Sequence, residues 1–555
     1  MAVINSSENL SDELKADLAR VDASGLDPGY ERKIFLVNKV LQEEIGMGKF
    51  QWQLFALSGY GWLVDNIWLQ GVAIILPQVG NEFFDAQHTP WMTFSLYMGL
   101  ITGAALWGIV ADIIGRRPSF NATLFIGGVF GVAAGAAPSF TALGGLLAAL
   151  GFGVGGSLPV DGMLFLEFIP GSHQYLLTLL SVFWAIGQLI SSLLAWAFIA
   201  NYSCTGSNSN PQPDPTVAPQ YCDVSTNNGW RYTFYTLGAI TLTGFFLRFL
   251  MFQLPESPKY LLSQGRDAEA VAVLRDIARR NGKELPEDVM SLAILRAAAG
   301  EEHNEAEDDA LPVVDNGLKS VARDFMRIPS DLVKSVKGMN AQSFKPNMAH
   351  INPLFATKKV AYNTITLWLI WGFIGLAYPL YNSFLPTYLN ERFVGSGVAT
   401  AASTDATYRD YAIISACGVP GSIIAAWLVE LPRSGRRGAL AVSTLLTGVF
   451  VFAVTGASTD TAYLGLNCAN SLVQNSMYGV LYHMTPESFP APARGTGDGV
   501  ASSLNRVFGS MAPIIKIYAG TKAPSAPVFT SAAIFCLAAF LAATLTVEGH
   551  GKSAL

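Results

Sequence analysis

About twenty consecutive, mostly apolar residues are what an α-helix needs to cross the ~30 Å hydrocarbon core of a bilayer. This chain supplies such a run twelve times. The runs fall near 52–77, 91–111, 119–137, 141–165, 174–200 and 231–254, and then near 361–388, 409–430, 439–456, 460–484, 496–518 and 526–547. A charged interval near 255–358 separates the two sets of six. Only 14% of the residues are charged, against about a quarter in an ordinary soluble chain. The expected fold class is therefore an all-α membrane protein of twelve transmembrane helices in two six-helix halves. The lipid bilayer is its first partner.

With an even number of spans, both termini and the central interval lie on one side. Arginine marks that side as cytoplasmic. Arg116 and Arg117 follow the second run, Arg433, Arg436 and Arg437 the eighth, and Arg494 the tenth, while the interval carries Lys259, Arg266, Arg275, Arg279 and Arg280. The opposite stretches 78–90, 201–229 and 457–460 contain no Lys or Arg, whereas Arg392, Arg409, Lys516 and Lys522 run against the bias. The expected organisation is a cytoplasmic segment 1–49, a first half 50–254, a cytoplasmic loop 255–360, a second half 361–548 and a tail 549–555. Residues 1–45 lack the apolar core of a cleaved signal. The interval is expected to hold a short amphipathic helix around 266–281 and an acidic, mobile stretch at 299–315.

Several function classes drop out. A net charge of −6 with no basic block gives no reason to expect nucleic acid. Five cysteines with no CxxC pair or Cys/His cluster predict neither a metal site nor a cofactor. No phosphate-cradling G-x-x-x-x-G-K-[ST] run is present, so ATP-driven pumping is unsupported. No pairing of Ser, His or metal ligands points to an enzyme, and His173 and His483, at run ends, are read as incidental. The 201–229 loop carries Cys204 and Cys222, a disulfide candidate on an oxidising face, and the acceptor Asn201-Tyr202-Ser203 for glycosylation. Two unpaired thiols and an unused sequon are the alternatives. Asn121-Ala122-Thr123 lies inside a run and is set aside.

Between the second and third runs stands Gly108-Ile-Val-Ala-Asp112-Ile-Ile-Gly115-Arg116-Arg117, and the second half retains Gly435-Arg436-Arg437, with Pro432 at the acidic position. This pair resembles the signature loops of the major facilitator superfamily, repeated as two related halves require. Pro255-Glu256-Ser257-Pro258, with its counterpart Thr485-Pro486-Glu487-Ser488 followed by Arg494, resembles the sugar-porter clan. Gly46-Met-Gly-Lys49-Phe50-Gln51-Trp52, Gly61-Trp62-Leu63-Val64-Asp65, Leu106-Trp107-Gly108 and Gly151-Phe152-Gly153-Val154-Gly155-Gly156 resemble its synaptic-vesicle-glycoprotein-related branch, over residues 46–548. That branch includes carriers of organic cations, organic anions, nicotinate-like and aromatic acids, and vesicle proteins without a settled substrate. The resemblance implies a cytoplasmic gate of Gly108, Asp112, Gly115, Arg116, Arg117, Glu167, Glu256, Arg436, Arg437, Glu487 and Arg494. Its acids and bases would form ion-pair latches, or else a static solvated face. Leu147 stands where facilitators often carry arginine. Ser157 replaces the acid of phosphate carriers. Gly187-Gln188 departs from the antiporter motif. Phosphate and drug-efflux exchange are disfavoured on those grounds.

Charges within apolar runs cost roughly 2.5–3.5 kcal/mol each on insertion scales, so they mark function by default. Asp65 sits midway along the first run and Arg506 midway along the eleventh. Asp65 is either a proton-coupling or cation-binding acid, or a hydrogen-bonded structural one. Arg506 either grips a carboxylate through two parallel bonds or pairs internally with Asp65 or a polar neighbour. Asp161 is a second protonatable group, or a partner for Arg506 or a cytoplasmic arginine. Gln188, Tyr378, Tyr381, Asn382, Asn470, Gln474 and Asn475 are the polar and aromatic candidates for a pocket between the halves, although each alone is more often interhelical glue.

The expected function is secondary, proton-coupled symport of a small polar or organic-anion solute by alternating access. A sugar or organic-cation carrier is the runner-up, and a transporter-like receptor or vesicle component without sustained flux is the alternative from another class. The chain is expected to act as a monomer, with the solute and a proton as partners, in the plasma membrane rather than an internal one.

Overall fold

The computed structural model describes residues 28–83, 88–173, 175–204, 222–251, 254–301, 351–395, 401–429, 435–489, 494–520 and 525–546, with isolated positions 312, 320, 322–323 and 326–327. Segments 1–27 and 549–555, most of the acidic stretch at 299–315 and residues 205–221 lie outside this set, as do the side chains of Gly108, Asp112 and Arg494. Among the described residues every regular element is helical.

The first six spans are Lys49–Phe83, Pro90–Ile114, Arg116–Gly135, the pair Phe140–Gly155 and Ser157–Phe168, Leu176–Tyr202 and Gly229–Phe246. The second six are Lys358–Asn382, Ala401–Val429, Gly435–Thr455, Asp460–Ser488, the pair Arg494–Gly509 and Met511–Gly520, and Ala526–Thr544. Nine helices among the described residues are long and apolar enough to cross a membrane. The other three spans are the second, tenth and eleventh. Span ten is diluted by Asn467, Asn470, Gln474 and Asn475, and span eleven by Asp498, Asn505 and Arg506.

Helix ends depart from the apolar runs in two places. Span one continues through Pro77 to Phe83, and span eight begins at Ala401, before its apolar run opens. Apolarity marks the bilayer, not the helix end. Span six passes into a π-turn, Leu247–Met251, which places Arg248 inside the first half.

Helix pairing repeats with an offset of six. Spans one and five, two and four, three and six, and three and four pack together, and so do seven and eleven, eight and ten, nine and twelve, and nine and ten. Two structurally related halves follow from that register. They meet where span two packs on span eleven and span five packs on spans eight and ten. Spans two and four approach through small residues. A Cβ on Gly99 would lie 2.0 Å from the Ala148 carbonyl oxygen, and one on Gly155 would lie 2.5 Å from that of Leu100, as close helix crossing in lipid requires.

At the arginine-rich face, the amphipathic segment is the helix Asp267–Arg280. It packs against the helix Leu292–Ala299, which in turn packs against Pro28–Val40. Lys33 Nζ lies 2.7 Å from both Asp267 Oδ2 and Glu301 Oε2. Asn281 accepts from the Phe50 amide at 3.0 Å and donates to Gln51 at 2.7 Å, tying this bundle to the start of span one.

The gate motifs close within each half. The Glu256 carboxylate accepts from the amides of Arg116 (2.9 Å), Arg117 (3.4 Å) and Ser257 (3.0 Å), capping the start of span three. Gly115, at φ 108°, makes room for it, since a Cβ there would lie 2.5 Å from Glu256 Oε2. Arg116 Nε is 3.3 Å from Glu167 Oε1, and Arg117 donates to Ser320 at 3.2 Å. In the second half Arg436 pairs with Glu487, and Arg437 donates to the Leu545 carbonyl at 2.8 Å. His483, read from sequence as incidental, has its Nε2 3.3 Å from Glu487 Oε1. Each of these contacts joins elements of one half or its adjoining loop.

Burial pushes the Glu256 carboxyl up to about 7, against the lowering effect of the three amides. A carboxyl raised by folding contributes stability that is complete below its unfolded value of 4.5 and lost as pH rises through about 7. The melting temperature of wild type should therefore fall between mildly acidic and mildly alkaline pH relative to Glu256→Gln. Parallel pH profiles for the two proteins would refute this.

At the opposite face, Glu82 accepts a two-bond grip from Arg231, both contacts at 2.7 Å. Cys204 and Cys222 are joined by a disulfide, with Cα atoms 6.0 Å apart. Asn201 is exposed on the last turn of span five, and its amide donates to the Ala197 carbonyl at 2.9 Å.

Candidate functional site

Spans one, two, four, five, seven, ten and eleven converge on a central cavity lined by Asp65, Leu69, Tyr97, Leu100, Leu158, Trp184, Gly375, Tyr378, Pro379, Tyr478, Tyr482, Asn505 and Arg506. It encloses about 40 Å³, within a wider atom-free space of about 460 Å³ that runs out into solvent.

Two of its residues are charged, one from each half. Asp65 is 2% exposed and Arg506 is 6% exposed. The Trp184 indole donates to Asp65 Oδ2 at 3.3 Å, while Asp65 Oδ1 and Arg506 Nη1 have no hydrogen-bond partner. Among the described residues no ion pair within 4 Å joins the two. An unmatched acceptor and an unmatched donor of opposite charge thus face one space. Buried polar atoms are seldom left in that condition.

The walls are aromatic. The Trp184 ring centroid lies 5.8 Å from that of Tyr378 and 5.3 Å from that of Tyr478, and Tyr378 meets Tyr478 edge-on at 5.2 Å. Tyr482 stacks on Tyr478 at 6.1 Å and is backed by Trp62 at 4.8 Å and Trp371 at 5.1 Å. Such a box suits a flat ring or a cation, and the charged pair orients it.

On the side away from the arginine-rich face the halves are stitched by hydrogen bonds, most of them between neutral groups. Gln70 donates to Tyr378 Oη at 2.8 Å and accepts from the Tyr411 hydroxyl. Tyr408 donates to the Ile74 carbonyl at 3.0 Å, Ser192 and Ser415 share a 2.6 Å bond, and the Trp196 indole donates to Asp405 at 2.8 Å.

Of the pocket candidates from sequence, only Tyr378 lines this cavity alongside Asp65 and Arg506. Tyr381 donates to Asn467 at 2.5 Å, and Asn382 donates to the Tyr378 carbonyl at 3.2 Å. Gln188, Asn470, Gln474 and Asn475 are buried but not among the lining residues. Asn475 donates to Ser471 O at 2.9 Å and sits against Gly418 of span eight, in a helix–helix seam.

Asp161 also departs from expectation. Its partner is neither Arg506 nor an arginine of the basic face. Arg248 of the π-turn grips it with contacts of 2.6 and 3.2 Å, and both side chains are wholly buried. Arg248 further donates to the carbonyls of Phe120 and Leu57, both at 2.8 Å, and stacks 3.6 Å over the Phe120 ring. Gly61 faces the pair so closely that a Cβ there would lie 1.5 Å from Asp161 Oδ2. Asp161 ties spans one, three, four and six together, away from the cavity.

Sequence reasoning missed Tyr97, Trp184, Tyr478, Tyr482 and Asn505. Asn505 adjoins Arg506, and Tyr478 and Tyr482 are one helical turn apart on one face of span ten. That spacing was the available signal.

A twelve-span bundle with a charged cavity between related halves is the architecture of a membrane transporter. The chain belongs to the Major Facilitator Superfamily, whose family model matches residues 55–513. It is similar to the MFS siderochrome iron transporter 1 of Ceriporiopsis subvermispora, 43% identical over 96% of this chain and 93% of that protein. It is 41% identical to the major facilitator-type transporter hxnZ of Emericella nidulans, over 97% and 91% of the two chains. At 25% identity it resembles the synaptic vesicle 2-related protein of Rattus norvegicus, over 92% and 81%. The fold is shared with the xylose transporter XylE from E. coli in a partially occluded inward open conformation, at a TM-score of 0.61 and 14% identity, covering 90% of this chain and all of that one. The protein is a multi-pass membrane transporter and not an enzyme.

Proposed function

We propose that the protein carries a small organic anion with a flat, ring-like body, coupled to protons, by alternating access from a cavity centred on Asp65 and Arg506. The observation that supports this most is the unmatched Arg506 Nη1 beside the unmatched Asp65 Oδ1 within aromatic walls. Arg506 takes the solute carboxylate through its guanidinium edge, and the tyrosine and tryptophan faces take its ring. Asp65 carries the proton. While it is ionised it holds the guanidinium electrostatically, and protonation frees that charge for the solute. The arginine-rich face is cytoplasmic on this reading, residues 50–254 rock against 361–548, and the plasma membrane is the site.

An organic cation is the second reading, because an acid in an aromatic box also suits an ammonium group. Uptake into proteoliposomes under an imposed pH gradient separates the two, with nicotinate, benzoate, choline and xylose as probes. Nicotinate or benzoate should accumulate in wild type. Asp65→Asn should abolish the accumulation while leaving exchange of preloaded solute in place. If Asp65→Asn still concentrates the anion, the proton assignment is wrong; if choline alone accumulates, the solute class is.

A further inference from the structure

The buried hydrogen bonds around Gln70 have a definite direction, because one of them ends on a backbone carbonyl. Asn66 donates from Nδ2 to the Trp184 carbonyl at 2.7 Å, and a carbonyl only accepts. The Asn66 oxygen therefore faces Gln70, and the Gln70 nitrogen meets it at 3.3 Å. That same nitrogen lies 2.8 Å from the Tyr378 hydroxyl, so the Tyr378 oxygen accepts. The Gln70 oxygen is left facing the Tyr411 hydroxyl, which donates to it. All four side chains are more than nine-tenths buried. One proton is left over. The Tyr378 hydroxyl still has a hydrogen to give, and no described residue receives it, although buried polar groups are seldom left without a partner. Tyr378 is a wall of the cavity, in ring contact with Trp184 and Tyr478.

We propose that Tyr378 donates this hydrogen to an acceptor atom of the solute, and that Gln70 is the positioning residue that aims it and ties the contact to the seam on the side away from the arginines. This contact rests on the reading above and adds a neutral donor to its charged pair. The donations run one way, from Tyr411 of span eight through Gln70 of span one and Tyr378 of span seven to the solute. Aligned hydrogen bonds polarise one another. A solute acceptor makes the Tyr378 oxygen a better acceptor for the Gln70 amide, whose carbonyl in turn holds the Tyr411 hydroxyl more firmly. Gln70 belongs to the first half and both tyrosines to the second. An occupied cavity therefore draws the halves together on that side, and an empty one loosens them. The other bonds of the seam join Tyr408 to the Ile74 carbonyl, Ser192 to Ser415 and Trp196 to Asp405. None of those residues lines the cavity. Gln70 is thus the link among them through which the cavity acts on the seam.

The test uses the whole chain, in proteoliposomes for transport and in nanodiscs for hydrogen exchange, with nicotinate as the probe. Tyr378→Phe should raise the half-saturation concentration about fivefold, the scale of one hydrogen bond. An unchanged value overturns the donation to solute. In wild type, nicotinate should slow backbone exchange in residues 401–415 of span eight. Gln70→Met, similar in shape but without the amide, should abolish that slowing, as should Tyr411→Phe, with nicotinate set to the same multiple of each variant's half-saturation concentration. A merely structural role would alter exchange in the solute-free protein and leave the effect of nicotinate in place; that outcome overturns the coupling. A wild type that carries choline or xylose but no nicotinate overturns the anion reading alone, and the same comparison with the carried solute judges Gln70. Melting temperatures judge the chain whatever is carried. Gln70→Met with Tyr411→Phe should lose clearly less than the sum of the two single losses, and strictly additive losses overturn the link.

Discussion

Replacing Arg248 with methionine is expected to destabilise the protein by about 3–5 kcal/mol, because it leaves the fully buried Asp161 carboxylate without its partner. The same order of loss is expected for Asp161→Leu, which orphans the guanidinium. The double substitution should recover much of the stability, since a buried pair of this kind is often no better than apolar residues of similar volume. Asp161→Leu adds one complication. Gly61 leaves room for a carboxylate but little for branched methyl groups, so Asp161→Asn is the gentler second single variant. Thermal unfolding of the detergent-purified proteins reads all of these. Single variants that melt like wild type would show that the two charges are not the tie between spans one, three, four and six described above.

Arg506→Lys is expected to weaken an anionic solute by about 2 kcal/mol, roughly thirtyfold, the scale of a hydrogen bond to a charged group. An ammonium cannot reproduce the planar, two-bond grip. A neutral solute should bind both proteins alike. Should Arg506 instead serve only to neutralise Asp65, Arg506→Gln would lower stability and Asp65→Asn in the same chain would restore it, with solute discrimination unaffected. Transport and melting measured on the same purified variants distinguish these outcomes. Nicotinate handled equally well by wild type and Arg506→Lys would exclude the carboxylate grip.

Much of the architecture was legible because lipid imposes a coarse rule. A helix must be apolar for about twenty residues to span the core, and the twelve runs mark the spans to within a few residues in most cases. The repeat of Gly115-Arg116-Arg117 in Gly435-Arg436-Arg437 pointed to two related halves before any packing was seen. Asp65 and Arg506 were visible for the same reason, since a charge within an apolar run is conspicuous. The partner of Asp161 was not legible. Arg248 sits near the end of the sixth run, where an arginine ordinarily reaches for the membrane surface, and only the π-turn rotates it inward. The cavity walls were hidden for the opposite reason. Trp184, Tyr478 and Tyr482 look like unremarkable membrane residues, whereas the amides of span ten look like ligands but include Asn475, packed in the seam against span eight. Facing direction is what the linear pattern lacked.

The hydrogen bonds that close the side away from the arginines, most of them between neutral groups, bear on how easily the carrier changes state. Each hydroxyl or amide contact of the Gln70, Tyr408 and Ser192 type is worth about 1 kcal/mol net, and the separated groups can bond to water instead. The ion pairs described above, which would be far harder to separate in a low-dielectric interior, lie within a half or its adjoining segments and can travel with it. The two access states can then lie close in free energy, so that occupancy of a single small cavity is enough to tip the balance between them.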